Sequence, residues 1–130
     1  MSEENVEVVR GVYRGTSRRG IYDVLGDEIE WDATNTQAPD AGIYRGLDAF
    51  KGAYDAWRDT WDGYEVAVDE LIDAGSSVIA VTRQRGRGKR SGIESEQLMV
   101  AVYTFRDGKV VLFRIYDTKA EALEAVGLLE

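Results

Sequence analysis

The sequence predicts an α+β fold in which a curved antiparallel sheet wraps helices laid on one of its faces and encloses a cone-shaped interior. Three observations predict it. Segments with helical periodicity come first, segments with a period of two follow, and an Arg106-Asp107-Gly108 turn joins the last two strands into a hairpin.

Glu3 to Arg19 reads as a helix, with Val6, Val9, Tyr13 and Thr16 on one face, acids in the first turn, arginines later and Gly20 as the stop. Tyr13 therefore points inward. Ile21 to Leu25 reads as a helical turn and Glu28 to Asp32 as a short strand, and Ala33 to Gly42, which holds the only proline, Pro39, as a loop. Leu47 to Asp62 reads as a second helix, because Phe50, Tyr54, Trp57 and Trp61 recur at spacings of four, three and four before Gly63. Tyr64 to Asp73 and Ser76 to Arg85 read as strands joined at Ala74-Gly75. Thr118 and Glu121 have the spacing of a capping box ahead of a short terminal helix.

In the hairpin from Glu94 to Tyr116, the odd positions Gln97, Met99, Ala101, Tyr103 and Phe105 share one face. A two-residue Asp-Gly loop would set Ala101 opposite Arg114. A three-residue loop with Gly108 left-handed sets Val111, Phe113 and Ile115 opposite Tyr103, Ala101 and Met99, and that apolar register is the expected one. It brings Gln97 opposite Asp117 at the rim of an apolar wall, where a pocket keeps its few polar groups. The other face carries Leu98, Val100, Val102 and Leu112, a patch too apolar to leave in water, so a homodimer burying it is expected.

At 130 residues the chain fits a single domain spanning 1–130, able to bury roughly two thirds of the surface that its unfolded form exposes. A net charge of -8 disfavours general affinity for nucleic acid or anionic membrane. The N-terminal residues lack the pattern of a signal peptide and no apolar run is long enough to span a bilayer, so a cytoplasmic location is expected. The absence of cysteine and histidine removes disulfides, thiolate nucleophiles, Ser-His-Asp triads and zinc sites built on imidazole or sulfur. The segment Gly86-Arg87-Gly88-Lys89-Arg90 fails as a phosphate loop, because Arg83 stands where the first glycine is required and Arg90 follows the lysine. The basic run Arg83, Arg85, Arg87, Lys89 and Arg90 reads as a solvated hairpin tip, with Arg83, the deepest, set apart as a candidate ligand contact.

Glu30-Trp31, Tyr44-Arg45-Gly46, Glu70-Leu71-Ile72-Asp73-Ala74-Gly75, Phe105-Arg106-Asp107-Gly108-Lys109-Val110 and Tyr116-Asp117 ahead of Ala120-Glu121-Ala122-Leu123 resemble the SnoaL-like polyketide cyclases. These form a group within the nuclear transport factor 2-like and ketosteroid isomerase-like superfamily, and the resemblance covers nearly the whole chain. It implies that Tyr13 corresponds to the isomerases' oxyanion tyrosine, Asp32 to their aspartate base and Asp117 to the cyclases' acid at the end of the last strand. The isomerases' second oxyanion donor and the cyclases' common histidine both fall on Ala101, whose methyl group donates nothing. The epoxide hydrolases' Arg-x-Asp reads Arg83-Gln84-Arg85 and lacks its carboxylate.

The superfamily hosts many activities, so function has to come from the cavity. One reading is a cofactor-independent isomerase or cyclase that moves a proton next to the carbonyl of a small apolar cyclic molecule. Asp32 or Asp117 is then the base, Tyr13 the donor to the enolate oxygen and Gln97 the residue that orients the acid. Trp57, Met99, Ala101, Tyr103 and Phe113 form the wall, and no metal or organic cofactor is called for. The other reading is a non-catalytic module that binds a hydrophobic ligand. Asp32 reads equally as an Asx turn bonding near Thr34, Asp117 as a cap of the last helix, and Tyr13 as a core tyrosine with a partnered hydroxyl.

Overall fold

The computed structural model describes residues 2–14, 19–34 and 42–128. The Thr16 end of the expected first helix and the loop segment with Asn35, Thr36 and Pro39 lie outside the described residues. The described residues form α1 (Ser2–Arg14), α2 (Arg19–Tyr22), β1 (Leu25–Asp32), β2 (Ile43–Arg45), α3 (Leu47–Asp59), β3 (Trp61–Ala74), β4 (Ser77–Gly88), β5 (Glu94–Arg106), β6 (Lys109–Tyr116) and α4 (Lys119–Ala125). The strands make one six-stranded sheet in the order β2-β1-β6-β5-β4-β3. The architecture is the expected α+β one, but the sheet is mixed: β1 runs parallel to β6, and every other neighbouring pair is antiparallel. Pairing irregularities in β1, β3 and the β5–β6 ladder supply the local bends that curve a sheet.

Alternation sorts the side chains. On the concave face Ile29, Val78, Ala80, Ala101, Tyr103, Phe105, Val110, Phe113 and Ile115 pack with Val9 of α1 and Phe50 of α3. The expected aromatic stripe of α3 is shorter than its periodicity suggests. The helix stops at Asp59, where the Thr60 hydroxyl donates to the Trp57 carbonyl at 2.7 Å, and Trp61 already pairs with Gly88 in the sheet. A helical spacing was thus completed by a residue that the β3–β4 ladder claims.

The hairpin also departs from the expected register. Asp107 and Gly108 both have positive φ, 53° and 79°, which makes a two-residue turn closed by Arg106 opposite Lys109. Ala101 still escapes Arg114, because Thr104 pairs with Leu112 and Phe105 with Val110, leaving Val111 as an extra residue in the ladder. Beyond this bulge Tyr103 faces Phe113, Ala101 faces Ile115 and Arg114 faces Val102 on the other side of the sheet. Val110 replaces Val111 in the concave core, and the Gln97–Asp117 pairing does not form, because the β5–β6 ladder ends at Val100 opposite Tyr116.

The convex face is covered by the chain itself. Ala122, Leu123 and Val126 of the C-terminal segment pack on Ile79, Val81, Val100, Val102 and Tyr116, and Val100 and Val102 are both 0% exposed. The patch invoked for a homodimer is therefore mostly dry without one, and Leu98, at 44%, is its exposed remnant. The Thr118 hydroxyl holds this lid in place by accepting from the Glu121 amide at 3.2 Å and donating to its carboxylate at 2.9 Å. Thr118→Ala is expected to lower the unfolding free energy by about 1 kcal/mol, as loss of an N-cap does. Urea denaturation checks this, and an unchanged midpoint would show that the cap does not hold the lid.

The five residues of the basic run are all exposed, as a solvated tip requires, and three of them also have acidic partners. Arg83 bonds Asp69, Arg85 approaches Glu96 at 3.7 Å and Arg87 bonds Glu94 at 2.9 Å, across the strands that flank β4. Among the described residues no helix is long and apolar enough to cross a membrane.

Candidate functional site

The site is built where α1 and α3 lie over the concave face. Val9 anchors α1 in the core, and four residues on, Tyr13 aims its hydroxyl at that of Tyr103, 2.6 Å away. Their rings meet edge-on with centroids 6.3 Å apart, and Tyr103 rests in turn on Phe113 at 5.0 Å. Tyr13 is half-buried as a residue, but its hydroxyl end sits with Tyr103 in the desolvated interior. Burial accordingly pushes the Tyr13 phenol well above its ordinary value of 10.0, the hydrogen bond to Tyr103 working against that rise. Tyr103 is raised too, first by burial and then by the nearness of Tyr13, so both stay protonated at neutral pH. Two facing hydroxyls share one hydrogen bond and use one of their two protons. The second proton is free for an acceptor.

A second polar cluster lies on the same face. Tyr64 donates to Gln84 Oε1 at 2.5 Å, Gln84 Nε2 donates to the Met99 sulfur, and Trp57 Nε1 reaches Tyr64 at the outer limit of a hydrogen bond, 3.5 Å. Burial raises the Tyr64 phenol to about 12. The Trp57 bond and the Arg58 guanidinium, 4.5 Å from the ring centre, act in the opposite sense. Trp61 stands edge-on to Trp57 at 5.5 Å and lies over Gly86, where a Cβ would come within 3.3 Å of the indole. Tyr13 also lines a groove of about 360 Å³ between α1 and β3, with Val66, Val68 and Leu71 as its apolar side.

Of the residues singled out from sequence, Tyr13, Trp57, Met99, Tyr103 and Phe113 meet in or beside these clusters. Ala101 lies buried between Ala80 and Ile115 as part of the apolar wall. Gln97 shares the face but is exposed at its rim, opposite Gln84. Asp32 points elsewhere. Trp31 packs inward on Phe50 and Phe113, so its neighbour emerges on the opposite face, where the register sets it beside Arg114. Its carboxylate accepts from the Thr34 amide at 2.9 Å and the Thr34 hydroxyl at 2.5 Å, an Asx turn. Arg83 lies on that same opposite face, held by Asp69. Asp117 is half-buried between the end of β6 and the Thr118 cap. Sequence reasoning passed over Tyr64 and Gln84 as site residues. A signal for Gln84 was present, since it shares parity with Val78 and Ala80 between two arginines that face the other way.

A family model described as SnoaL-like domain matches residues 7–113. The chain belongs to the SnoaL-like domain family. Among solved structures, this SnoaL-like domain is similar to a nuclear transport factor 2-like protein from Burkholderia thailandensis E264, with 28% identity and a TM-score of 0.75 over 92% of this chain and 95% of that one. A SnoaL-like polyketide cyclase, so described without confirmed activity, from Jannaschia sp. CCS1 aligns at 16% identity and a TM-score of 0.76, over 98% and 94% of the two chains. TerC, co-crystallised with polyporic acid, aligns at 21% and 0.73 over 95% and 98%. At such identities the last two likenesses speak for the fold alone. No curated protein matches the sequence.

Proposed function

We propose that this SnoaL-like domain binds a small, apolar, cyclic molecule through an oxygen atom that accepts the spare proton of the Tyr13–Tyr103 pair. The observation that carries the reading is that pair itself: two buried phenols 2.6 Å apart, both held neutral by desolvation, with one donor more than they can satisfy between themselves. A buried donor without an acceptor costs about 1 to 3 kcal/mol, which a ligand carbonyl or phenolate oxygen recovers on binding. Trp57, Met99 and Phe113 supply apolar and aromatic surface on the same face, the usual lining of a small-molecule pocket. That TerC was crystallised with polyporic acid supports a ring compound as the class of ligand for this shape of fold.

Binding is favoured over proton abstraction by Asp32, because that carboxylate closes an Asx turn on the other face of the sheet. An isomerase or cyclase step would fall to Asp117, and Asp117→Asn in an exchange assay of a bound ketone's α-protons tests it directly.

Calorimetric titration with 2-naphthol and 1-indanone, an enolate mimic and a neutral ketone, tests the binding reading. Tyr13→Phe is expected to weaken both by about 1 to 3 kcal/mol, the range for a hydrogen bond lost to a buried or charged partner. If neither compound nor any ring ketone of similar size binds, or if Tyr13→Phe binds them as well as the native chain, the reading fails.

A further inference from the structure

We propose that the groove between α1 and β3 receives the carboxylate of an apolar monocarboxylic acid, with Arg14 as its counter-ion and Arg10 in support. The proposal rests on the binding reading above and adds the charge class of the ligand. It starts from helix geometry. Arg10, Tyr13 and Arg14 fall at i, i+3 and i+4, so all three project from one side of α1, and all three line the groove. Facing them across the cavity is β3, with Val66 and Leu71 half-buried and Val68 37% exposed. One wall is cationic with a phenol at its centre. The other is mixed, with Val66, Val68 and Leu71 beside the acidic Asp69 and Glu70.

Two carboxylates, Asp69 and Glu70, also line the groove, and both already have counter-ions. Arg83 holds Asp69 through three hydrogen bonds of 2.9 to 3.1 Å, and Lys119 holds Glu70 at 2.8 Å. Arg10 contacts Glu7 at 3.1 Å in a pair whose side chains are 45% and 62% exposed, an arrangement worth little in water. Arg14 has no hydrogen-bond or ion-pair partner among the described residues. The groove is therefore left with one cation unmatched, in a chain whose net charge is -8.

A basic residue in the last turn of a helix is favoured by the helix dipole wherever it points. Setting two of them one turn apart over the same cavity adds like-charge repulsion, which an anion between them removes. The charge of that anion is bounded from the other side. Asp69 and Glu70 oppose a phosphate dianion more than a carboxylate, and the part of the molecule that lies on Val66, Val68 and Leu71 meets no polar side chain there and is apolar. A volume of about 360 Å³ suits one ring system with a short acidic arm.

The test is calorimetric titration of the full chain with three molecules of one shape: 3-phenylpropionate, its primary amide and 3-phenylpropylamine. The acid is expected to bind about tenfold or more tightly than the amide at low salt, the scale of one charge-assisted hydrogen bond. Arg14→Gln, at an exposed helix end, should bring the acid down to the amide and leave the amide unchanged, and Arg10→Gln should do so in part. Equal binding of acid and amide by the native chain, or an acid preference that survives Arg14→Gln, overturns the proposal. The binding reading then still stands, provided that Tyr13→Phe weakens both. Preference for the amine overturns it in favour of Asp69 and Glu70. If none of the three binds, the proposal falls, and the reading beneath it is decided by 2-naphthol and 1-indanone.

Discussion

Phe50→Ala is expected to lower the unfolding free energy by about 3 to 5 kcal/mol, the range for truncating a fully buried phenylalanine. Phe50 is 0% exposed and is the buried residue of α3. Its ring stacks on Tyr54 at 5.9 Å and meets Trp31 at 5.2 Å and Phe113 at 5.6 Å, so it ties α3 to β1 and β6 together. Removing it takes away the transfer energy of the ring and leaves a cavity in a cluster of other rings, none of which has the freedom to fill it. Small domains are stable by only about 5 to 15 kcal/mol, so the variant loses a large part of its margin. Urea unfolding of Phe50→Ala and Phe50→Leu measures it. A loss below about 1 kcal/mol for the alanine would mean that α3 is not anchored through this ring.

The second large effect is on alkaline stability. Tyr13, Tyr64 and Tyr103 all have raised pKa values in the folded chain, Tyr64 to about 12, whereas in the unfolded chain they return to the ordinary phenol value of 10.0. Above that value the unfolded chain releases protons that the folded chain keeps, so stability falls as pH rises. The contribution is fully present below pH 10. It is lost at up to about 1.4 kcal/mol per pH unit for each tyrosine, until the folded value is passed. For Tyr64 that loss is complete at about pH 12. Three such groups acting together lose several kcal/mol by about pH 11 to 12. Urea midpoints measured on either side of pH 10, with tyrosinate absorbance followed in parallel, test this. Of the seven tyrosines, these three should ionise only as the chain unfolds, and Tyr13→Phe should make the decline shallower. Seven tyrosines titrating freely near pH 10 in a chain that stays folded would refute the buried hydroxyl clusters.

What could be read from sequence follows the physics of parity. The side chains of Met99, Ala101, Tyr103, Phe113 and Ile115 share one face whichever even register the hairpin adopts, so the apolar wall was legible although the pairing was not. The register itself depended on a bulge, and Val111 looks like any other strand residue in a run of Val-Val-Leu-Phe. Trp61 shows the reverse failure: its spacing from Trp57 fits a helix, and only the ladder with Gly88 assigns it to a strand. Asp32 was legible as to element but not as to direction, because the one-residue alternation after Trp31 decides which face it takes. Tyr13 was placed from its helical face alone. Its partner Tyr103 was placed only as wall, since the meeting of two hydroxyls 90 residues apart is a property of tertiary packing.

The Val111 bulge bears on how the length of this hairpin can change. Loss or gain of one residue elsewhere in β5 or β6 exchanges inward and outward side chains from that point on, and would carry Arg114 into the aromatic interior. At Val111 the ladder already accommodates an odd residue. Deleting it leaves Phe105 opposite Val110, Thr104 opposite Leu112 and Tyr103 opposite Phe113, with every face preserved and only the local bend relaxed. Val111 is therefore the place in this hairpin where loss of a single residue can be tolerated, and homologues one residue shorter between β5 and β6 should carry their gap there.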